Sequence, residues 1–482
     1  MRRSLLLRVA ALAALSLASA CVTVGPNFTR PAAPATQSYA MAGDAAPGDG
    51  VALAPAAAPA GWWRAFGSSD LNAVVDFALA NNRSLAAADA SLARAQASAA
   101  VARGEAGPDV DAHANVARER INSAAFGFSG FPSPTISLYS IGASASFNLD
   151  PFGGERRRVE SAEARAQAEV SRRDAAYLTL TGDVVTRAIE IASLDAQIAA
   201  LSQVIDDDRR TLDMTNRAIE AGGSPRAAAN TAEAQLAEDE ARLPPLRARY
   251  NAARHALALL VGQAPSDWTA PHFDLASLSV PQSVPVSLPS ELVRRRPDIL
   301  VAEARLHAAT ADVGVATAAM YPRLTLSPDF TLAALEPSEV FNYTSSGWSF
   351  GPSLTAPLFH SGALRAGRNA ADATRREALA NYEQTVLTAF VQVADLLDAV
   401  AQDQALLAAQ THASDAAAEN ARLANLAYEN GAGSLIQVLD AQRQAQRARL
   451  GLIDAQERLR RDIAALFVAS AADVTQNQAA AR

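Results

Sequence analysis

The sequence is poor in the residues that build disulfides, metal sites and nucleic-acid surfaces. It has one cysteine, Cys21, which excludes a disulfide within one chain and any paired-cysteine metal or redox site. None of the six histidines lies three or four residues from another, so we predict no helical metal site. Lysine is absent, and the net charge of −8 argues against nucleic acid as a partner.

Features typical of enzymes are missing as well. We find no phosphate-binding loop, no cluster of metal-ligating residues and no nucleophile constellation, so we expect neither catalysis nor a cofactor. Aromatic residues make up 6% of the chain, whereas alanine, the strongest helix former, is abundant. The composition therefore favours long helices.

The N-terminus has the pattern of a secretory signal peptide over residues 1–20. Arg2 and Arg3 precede a short apolar run, and small residues precede the cleavage site after Ala20. The apolar run is too short for a membrane-spanning helix. An ordinary signal peptidase could cut after Ala20, or Cys21 could be lipidated and become the first mature residue. We predict lipidation, because it explains a lone cysteine at this position.

The rest of the chain contains two copies of one unit. With a shift of about 209 residues, Asn216, Ala218, Glu220 and Gly222 fall on Asn425, Ala427, Glu429 and Gly431. Such a long period indicates a pseudo-symmetric assembly. The predicted organisation is a signal peptide (1–20), a lipid-anchored tether (21–61), a first repeat (62–262), an equatorial linker (263–296), a second repeat (297–470) and a C-terminal tail (471–482).

Each copy contains a very long helix, predicted from Glu155 to Ala221 and from Ala363 to Asn430 without a proline. At 1.5 Å per residue each extends about 100 Å. A seven-residue repeat indicates packing along a supercoiled seam, although a solvated coiled-coil stalk has the same period. The seam residues are Tyr177, Val184, Ile191, Ile198, Ile205, Leu212 and Ile219 in the first copy, and Val386, Val393, Val400, Leu407, Ser414, Ala421 and Tyr428 in the second.

Both long helices are followed by glycine-rich turns. The first turn begins with Gly222 and Gly223, and the second contains Gly431 and Gly433. Glycine stops a helix and lets the chain double back into a second helix. We therefore predict two helical hairpins with tips at these glycines.

Between the helices, residues alternate with a period of two. The apolar residues of the four predicted strands begin at Val110, Ile141, Leu324 and Trp348. The two segments between helices that contain these strands hold nine of the fifteen phenylalanines. One apolar and one polar face over roughly ten residues is typical of a transmembrane barrel strand, but a soluble, half-buried sheet alternates in the same way. Pro328 and Pro352 predict irregular pairing.

Four strands cannot close a barrel, and an open edge cannot lie in lipid. If these strands span a membrane, the chain must therefore oligomerise. Two chains would supply eight strands, whose interior only accommodates side chains. Three chains would supply twelve, the smallest number consistent with a conduit.

Four further motifs stand out in the sequence. They are Val24-Gly25-Pro26 with Arg30-Pro31 after Cys21, Trp62-Trp63 with Phe66, Arg294-Arg295-Arg296-Pro297-Asp298-Ile299, and the segment from Tyr428 to Gln442. With these motifs the chain resembles outer-membrane efflux proteins of the TolC/OprM/NodT type over nearly its full mature length. For the Arg-Pro-Asp segment we predict a local role, in which Pro297 and Asp298 start a helix.

The resemblance implies a mainly α fold with a β-barrel portion and two structural repeats per chain. Four transmembrane strands per chain would form a 12-stranded β-barrel in a homotrimer, continued by a long periplasmic α-helical barrel. The implied partners are outer-membrane lipid, a periplasmic adaptor protein and an inner-membrane pump. The implied location is the outer membrane, with a lipid anchor at Cys21 and an extension into the periplasm.

The resemblance also implies a periplasmic gate and surfaces that contact the adaptor. Acidic residues form a ring in the pore of similar proteins, and here Asp440 matches, with Tyr428 at the position of a locking tyrosine. Gln437 replaces a second acid and Gly433 a basic residue, so we expect closure by packing more than by ion pairs. Alternatively, Asp440 is an ordinary solvated residue on the outside. The tip glycines Gly222, Gly223, Gly431 and Gly433 are the expected adaptor contacts.

The predicted function is a passive exit duct of a tripartite efflux pump of the RND type, carrying small toxic compounds or drugs. Two alternatives stay open. One is an outer-membrane channel for type I protein secretion, which shares the fold, and the other is a periplasmic coiled-coil scaffold without a pore. The alternating strands favour a channel over a scaffold, since a scaffold has no need of them.

Overall fold

A computed structural model describes residues 23–36, 38–39, 41, 52–54, 58–127, 130, 132–281 and 283–470. The predicted signal peptide, Cys21 and the C-terminal tail lie outside these residues. The described residues form two compact units. The strand unit comprises those within Met1–Pro31, Ser91–Val170 and Val301–Tyr382, and the hairpin unit those within Ala32–Ala90, Ser171–Leu300 and Glu383–Arg482.

Helices dominate the described chain. They are α1 (Ser69–Asn81), α2 (Arg83–Glu105), α3 (Gly154–Glu220), α4 (Arg226–Leu260), α5 (Pro289–Arg295), α6 (Pro297–Ala318), α7 (Ala363–Glu429) and α8 (Leu435–Ala469). The two long helices begin and end within one residue of the predicted bounds, which confirms them. Both contain 67 residues, and the return helices α4 and α8 both contain 35.

The strands fall into two sheets. They are β1 (Ala52–Ala54), β2 (Asp109–Arg120), β3 (Thr135–Asn148), β4 (Ser283–Pro285), β5 (Arg323–Leu326), β6 (Asp329–Ala334), β7 (Ser346–Ser349) and β8 (Pro352–Thr355). In the hairpin unit, β1 and β4 form a small parallel pair that the sequence did not predict. The other six strands form one antiparallel sheet in the strand unit.

This antiparallel sheet is built around β3. One side of β3 pairs with β2 over twelve residue pairs, from Asp109 with Ser146 to Arg120 with Thr135. The other side pairs with β5 and β6 in succession. Beyond them, β5 pairs with β8 and β6 with β7. The sheet is therefore four ribbons wide.

The irregular pairing predicted at Pro328 and Pro352 is confirmed in the second copy. The break between β5 and β6 falls at Ser327 and Pro328, and Pro352 begins β8 after a break in the last ribbon. Proline has no backbone N–H to donate to a ladder, so it interrupts pairing or stays at a strand end. The carbonyl of Pro328 still accepts from Ala145 N at 2.9 Å, which keeps the neighbouring ribbons together across the break.

The helix that precedes each strand pair is also divided. Asn82 separates α1 from α2, and Arg296 separates α5 from α6. Helix α6 begins at Pro297 with Asp298 in its first turn, which confirms the local role predicted for this segment.

The side chain of Arg296 connects several parts of the hairpin unit. Its Nε donates to both carboxylate oxygens of Asp298, at 2.9 and 3.0 Å. Its Nη1 donates to the carbonyl of Ala389 on α7 and to that of Ala469 at the end of α8, each at 3.4 Å. Arg296 therefore stabilises a helix C-terminus, where carbonyls lack partners within the helix.

Candidate functional site

The pairing register places the apolar side chains of all four ribbons on one face of the sheet. Residues paired directly in an antiparallel ladder lie on the same face. One row reads Ala112, Ala143, Phe330 and Trp348, and the next row of this face reads Ala114, Ile141, Leu332 and Ser346. Trp348 is 77% exposed, so the described residues leave this face uncovered.

The opposite face of the sheet is polar. Its rows read His113, Gly142, Thr331 and Gly347, and Asp111, Ser144, Asp329 and Ser349. Thr331 Oγ1 donates to Asp329 Oδ1 at 3.0 Å on this face. A sheet with one uncovered apolar face and one polar face can separate lipid from water.

Both long edges of the sheet are open in the described chain. Strand β2 pairs with β3 alone, and β7 and β8 each pair with a single neighbour. Unpaired backbone N–H and C=O groups along an edge are a template for another strand. In lipid, where water cannot satisfy these groups, such an edge requires a partner.

The long helices bury or half-bury the apolar residues of their seams instead. Every predicted seam residue from Tyr177 to Ile219 and from Val386 to Tyr428 is buried or half-buried. Val184 and Val393 are fully buried. The seven-residue period therefore marks helix packing, as predicted.

Each long helix contains an 18-residue stretch whose mean hydropathy of 1.3 would allow a membrane span by length and composition. A helix of 67 residues extends about 100 Å, however, and a hydrocarbon core measures about 30 Å. We assign these stretches to the packing seams. The stretch in α7 is 28% buried and that in α3 is 50% buried, so the described residues leave more of the apolar surface of α7 uncovered.

The two hairpin tips share one turn geometry. Gly222 and Gly431 adopt left-handed conformations, with φ of 78° and 72°. In each turn the next N–H donates to a carbonyl five residues back, from Gly223 to Ala218 and from Ala432 to Ala427, both at 2.8 Å. This is the glycine-dependent helix end known as the Schellman motif.

Comparisons with known proteins show the family of this chain. The family model described as "Outer membrane efflux protein" matches residues 74–263 and 288–472. The chain belongs to the outer membrane efflux protein family. Outer membrane protein OprJ of Pseudomonas aeruginosa is 32% identical over 454 residues, covering 92% of this chain and 91% of OprJ.

A second relative is the pyoverdine export outer membrane protein OpmQ of Pseudomonas aeruginosa. It is 31% identical over 440 residues, covering 89% of this chain and 90% of OpmQ. The solved structure of the outer-membrane channel OprN superposes with a TM-score of 0.85 at 28% identity, covering 94% of this chain and 99% of that chain. Family membership makes this chain an outer-membrane efflux channel, and the family is one of transport proteins rather than enzymes.

In this family member, the predicted gate residues lie around the second tip. Asp440 is exposed on α8, and its Oδ2 accepts from Gln444 Nε2 at 2.8 Å. Tyr428 is half-buried near the end of α7. The structure thus brings Asp440 and Tyr428 to the same hairpin without a hydrogen bond between them among the contacts described.

Gln437 has a local role that we did not predict. Ser434 Oγ accepts from Gln437 N at 3.3 Å, and Gln437 Oε1 accepts from Ser434 N at 3.0 Å. This reciprocal pair is a capping box that starts α8. The signal was present in the sequence as Ser-x-x-Gln directly after the glycine turn.

The first part of the predicted tether is docked as a strap in the strand unit. The buried Arg157 holds it, donating to Asn27 Oδ1 at 2.6 Å and to the carbonyl of Val24 at 3.3 Å. Gly25 has a φ of 88°, and a Cβ there would lie 2.5 Å from the Cα of Gly314. The Val-Gly-Pro motif is therefore needed for close backbone approach.

Further along the strap, side chains continue the contact. Phe28 stacks on His307 with ring centroids 4.3 Å apart. Arg30 Nε donates to Glu303 Oε1 at 2.7 Å. The Phe and Arg of the N-terminal motif therefore pack on α6.

Two carboxyl pairs in the hairpin unit were also missed, one fully buried and one with a half-buried partner, Asp462. Asp208 on α3 lies beside Asp239 on α4, and Asp403 on α7 lies beside Asp462 on α8. Burial and the neighbouring Asp462 raise the pKa of Asp403 to about 6. Asp208 lies three residues after the seam residue Ile205, and Asp403 three residues after Val400. An acid at this spacing, in a second row beside the seam, was the sequence signal that could have located both pairs.

Proposed function

We propose that this chain is the passive exit duct of a tripartite efflux pump of the RND type, which carries small toxic compounds or drugs from the periplasm across the outer membrane. The observation that carries the proposal is the sheet with an uncovered apolar face, a polar face and two open edges. The relative OpmQ is named for pyoverdine export, which supports a small organic substrate. The chain itself supplies a surface for passage and no chemistry.

We infer that three copies close the duct. The four ribbons of one chain leave β2 and the β7–β8 ribbon unpaired, and pairing these edges between copies closes a barrel. Two copies would form a barrel filled with side chains, and three form a 12-stranded barrel with room for a conduit. The uncovered apolar surface of α7 supports helix packing between the same copies.

Two equivalent repeats per chain fit this assembly. The long helices match in length, as do the return helices and the turn geometry at the tips. The family model also matches the chain in two successive segments. The repeats at 62–262 and 297–470 would then line the periplasmic part of the duct.

We infer that the duct is anchored by lipid at Cys21. The described strap begins at Thr23, which packs against Gly153, and Val24 N donates to the carbonyl of Phe152 at 3.0 Å. Phe152 lies four residues after the end of β3, so the strap starts where the sheet gives way to α3. This is the level at which an acyl chain must enter the membrane.

The tips are the inferred site of the gate and of adaptor contact. Asp440 is exposed near the second tip, so three copies would place three carboxylates together. Such a ring attracts cations and makes a closed pore cation-selective. The exposed turns at Gly222, Gly223 and Gly431, with Gly433 beside them, would meet the periplasmic adaptor and, through it, the inner-membrane pump.

Single-channel conductance in planar lipid bilayers tests the duct. We expect discrete conductance steps from the purified full chain, because a closed barrel encloses water. A periplasmic scaffold predicts no steps. Loss of tolerance to small toxic compounds in a strain lacking the gene, with normal protein secretion, would favour efflux over the type I secretion alternative.

The gate is tested with Asp440→Ala in the same bilayers. We expect reduced cation selectivity and weaker block by multivalent cations, since the variant removes three carboxylates from the pore. The control is Glu429→Ala, which removes an exposed acid on the other side of the same turn. Unchanged selectivity in Asp440→Ala would place this residue outside the pore.

The anchor is tested by the intact mass of the mature protein. We expect Cys21 to carry a diacylglycerol and an amide-linked acyl chain. An unmodified cysteine would contradict the anchor and leave the duct untouched, because the strap contacts do not depend on the lipid.

A further inference from the structure

The pair of Asp208 and Asp239 connects three helices of the hairpin unit. Asp239 on α4 is fully buried and Asp208 on α3 is 4% exposed. Asp239 accepts hydrogen bonds from Gln235 and Arg242 on its own helix, at 2.6 and 3.2 Å. It also accepts from Gln446 Nε2 on α8 at 3.0 Å. The charge of the Asp239 carboxylate is therefore well compensated.

Asp208 is in a different position. Its Oδ2 is shielded from solvent, and no donor within the described part of the chain reaches it. Burial, followed by the neighbouring Asp239, raises the pKa of Asp208 to about 7. A proton on Asp208 provides a donor to Asp239, whereas its loss leaves two adjacent buried carboxylates.

Asp208 also interrupts an apolar row. It follows Leu194 and Leu201 at intervals of seven residues, and both leucines are almost completely buried. A polar residue at such a position costs stability, and coiled coils use one to fix register. The partner acid on α4 and the contact to α8 give Asp208 surroundings that register alone does not require.

We propose that Asp208 and Asp239 form a proton-held lock, in which the shared proton joins α3 to α4 beside the bond from Gln446 of α8 to Asp239, and loss of the proton releases this three-helix contact. Asp208 lies 14 residues before Gly222, and Gln446 lies 13 residues after Gly433. The lock is thus about 20 Å along the helices from both tips. Because helices are stiff over this length, a change at the lock alters the freedom of the tips.

The charged groups around Asp208 favour the protonated form. Asp207 is adjacent on α3, and a cavity of about 590 Å³ beside the pair is also lined by Asp415 of α7 and Arg449 of α8. Arg242 of α4 is already paired with Asp239. Arg210 of α3 is paired with Asp207 at 3.1 Å, so in the described part of the chain neither of these two arginines is paired with Asp208.

The direction of the pH effect follows from proton binding. In the released state an exposed aspartate has a pKa near 4, so between about pH 4 and 7 the locked state binds one more proton. The equilibrium constant that favours the locked state is therefore largest in acid. It falls roughly tenfold per pH unit as the pH rises from about 4 to about 7, and above that the contact stays released.

The test compares the full-length parent protein with the Asp208→Asn variant. The amide of the variant has the shape of the carboxyl group and can still donate to Asp239. Thermal unfolding and single-channel opening are measured at pH 5 and pH 7.5. Between pH 5 and pH 7.5 we expect the Tm of the parent to fall more than that of Asp208→Asn. At pH 7.5 we also expect the parent channel to open more often than the variant channel. Asp415→Asn is the matched control: it removes an exposed acid from the same cavity and should follow the parent.

The pair of Asp403 and Asp462 adds a pH dependence of Tm that is common to all variants. The contribution of the lock is therefore the difference in Tm between parent and variant. Parallel curves of Tm against pH for the parent and Asp208→Asn would overturn the lock. Asp208 would then serve only to fix the register of the helices. If Asp208→Asn fails to assemble, Asp239→Asn tests the lock instead, and its Tm transition should move to lower pH. The Tm comparison does not depend on the duct: absent conductance counts against the duct, and parallel Tm curves count against the lock.

Discussion

Apolar side chains follow two different periods in this chain, and the two regions use them against different surroundings. In the sheet of the strand unit they recur every second residue and stay uncovered, as at Trp348. Along the long helices they recur every seventh residue and are buried, as at Val393. The sheet therefore presents an apolar surface outward, while the helices use theirs for packing.

The difference shows what each region needs for stability. Helix packing in water gains from removing apolar area from solvent within the protein. The sheet gains nothing of this kind from its own chain, because no other layer of the described residues covers its apolar face. We therefore expect its stability to come from lipid on one face and, in the proposed assembly, from strand partners at its edges.

The largest effect is expected from a cavity in the seam. Leu194 is 1% exposed, and Leu194→Ala should lower the free energy of unfolding by about 2–5 kcal/mol. Urea titration in detergent measures this change. Leu259→Ala, at a leucine that is 76% exposed, is the control and should change it by less than about 0.5 kcal/mol. Similar losses in both variants would contradict a packed seam.

A charge on the sheet separates its two faces. Trp348→Arg places a cation on the apolar face, which should cost about 2–4 kcal/mol near the bilayer centre. Ser349→Arg makes a similar change one residue later, on the polar face beside Asp329. The measurement is the yield of folding into lipid vesicles, which we expect to fall for Trp348→Arg alone. Equal yields would refute a lipid-facing row.

The smallest effect concerns the hairpin tips. Gly222 has a φ of 78°, and Gly222→Ala should cost about 1–2 kcal/mol because a Cβ is strained in that conformation. Gly223 has no positive φ, and a Cβ there would lie 3.5 Å from the carbonyl oxygen of Ala218, an ordinary contact, so Gly223→Ala should be nearly neutral. Thermal unfolding compares the two variants. A neutral Gly222→Ala would show that the turn relaxes into another conformation.

The periodic regions could be predicted from the sequence. Proline-free runs and seven-residue spacing predicted the ends of both long helices to within one residue. Pro328 predicted the irregular strand pairing in the second copy. Helix ends at Gly222 and Gly431 followed from glycine chemistry. These features depend on neighbours in sequence, which a single chain displays directly.

Features that depend on distant contacts could not be predicted. Arg157 holds the strap through residues about 130 positions away, and nothing in its local sequence indicates this contact. The lock requires Asp208, Asp239 and Gln446 to meet from three helices. An acid in an apolar row was visible, but its partner was not.

The central claim is that the open sheet is completed by other copies of the chain. Native mass spectrometry of the protein released from detergent or nanodiscs tests this most directly. We expect the mass of three chains, each 50.2 kDa before processing, and the assembled protein should retain its sheet content. A stable monomer in lipid with the same sheet content would contradict the shared barrel, because its edge strands would then lie unpaired in the membrane.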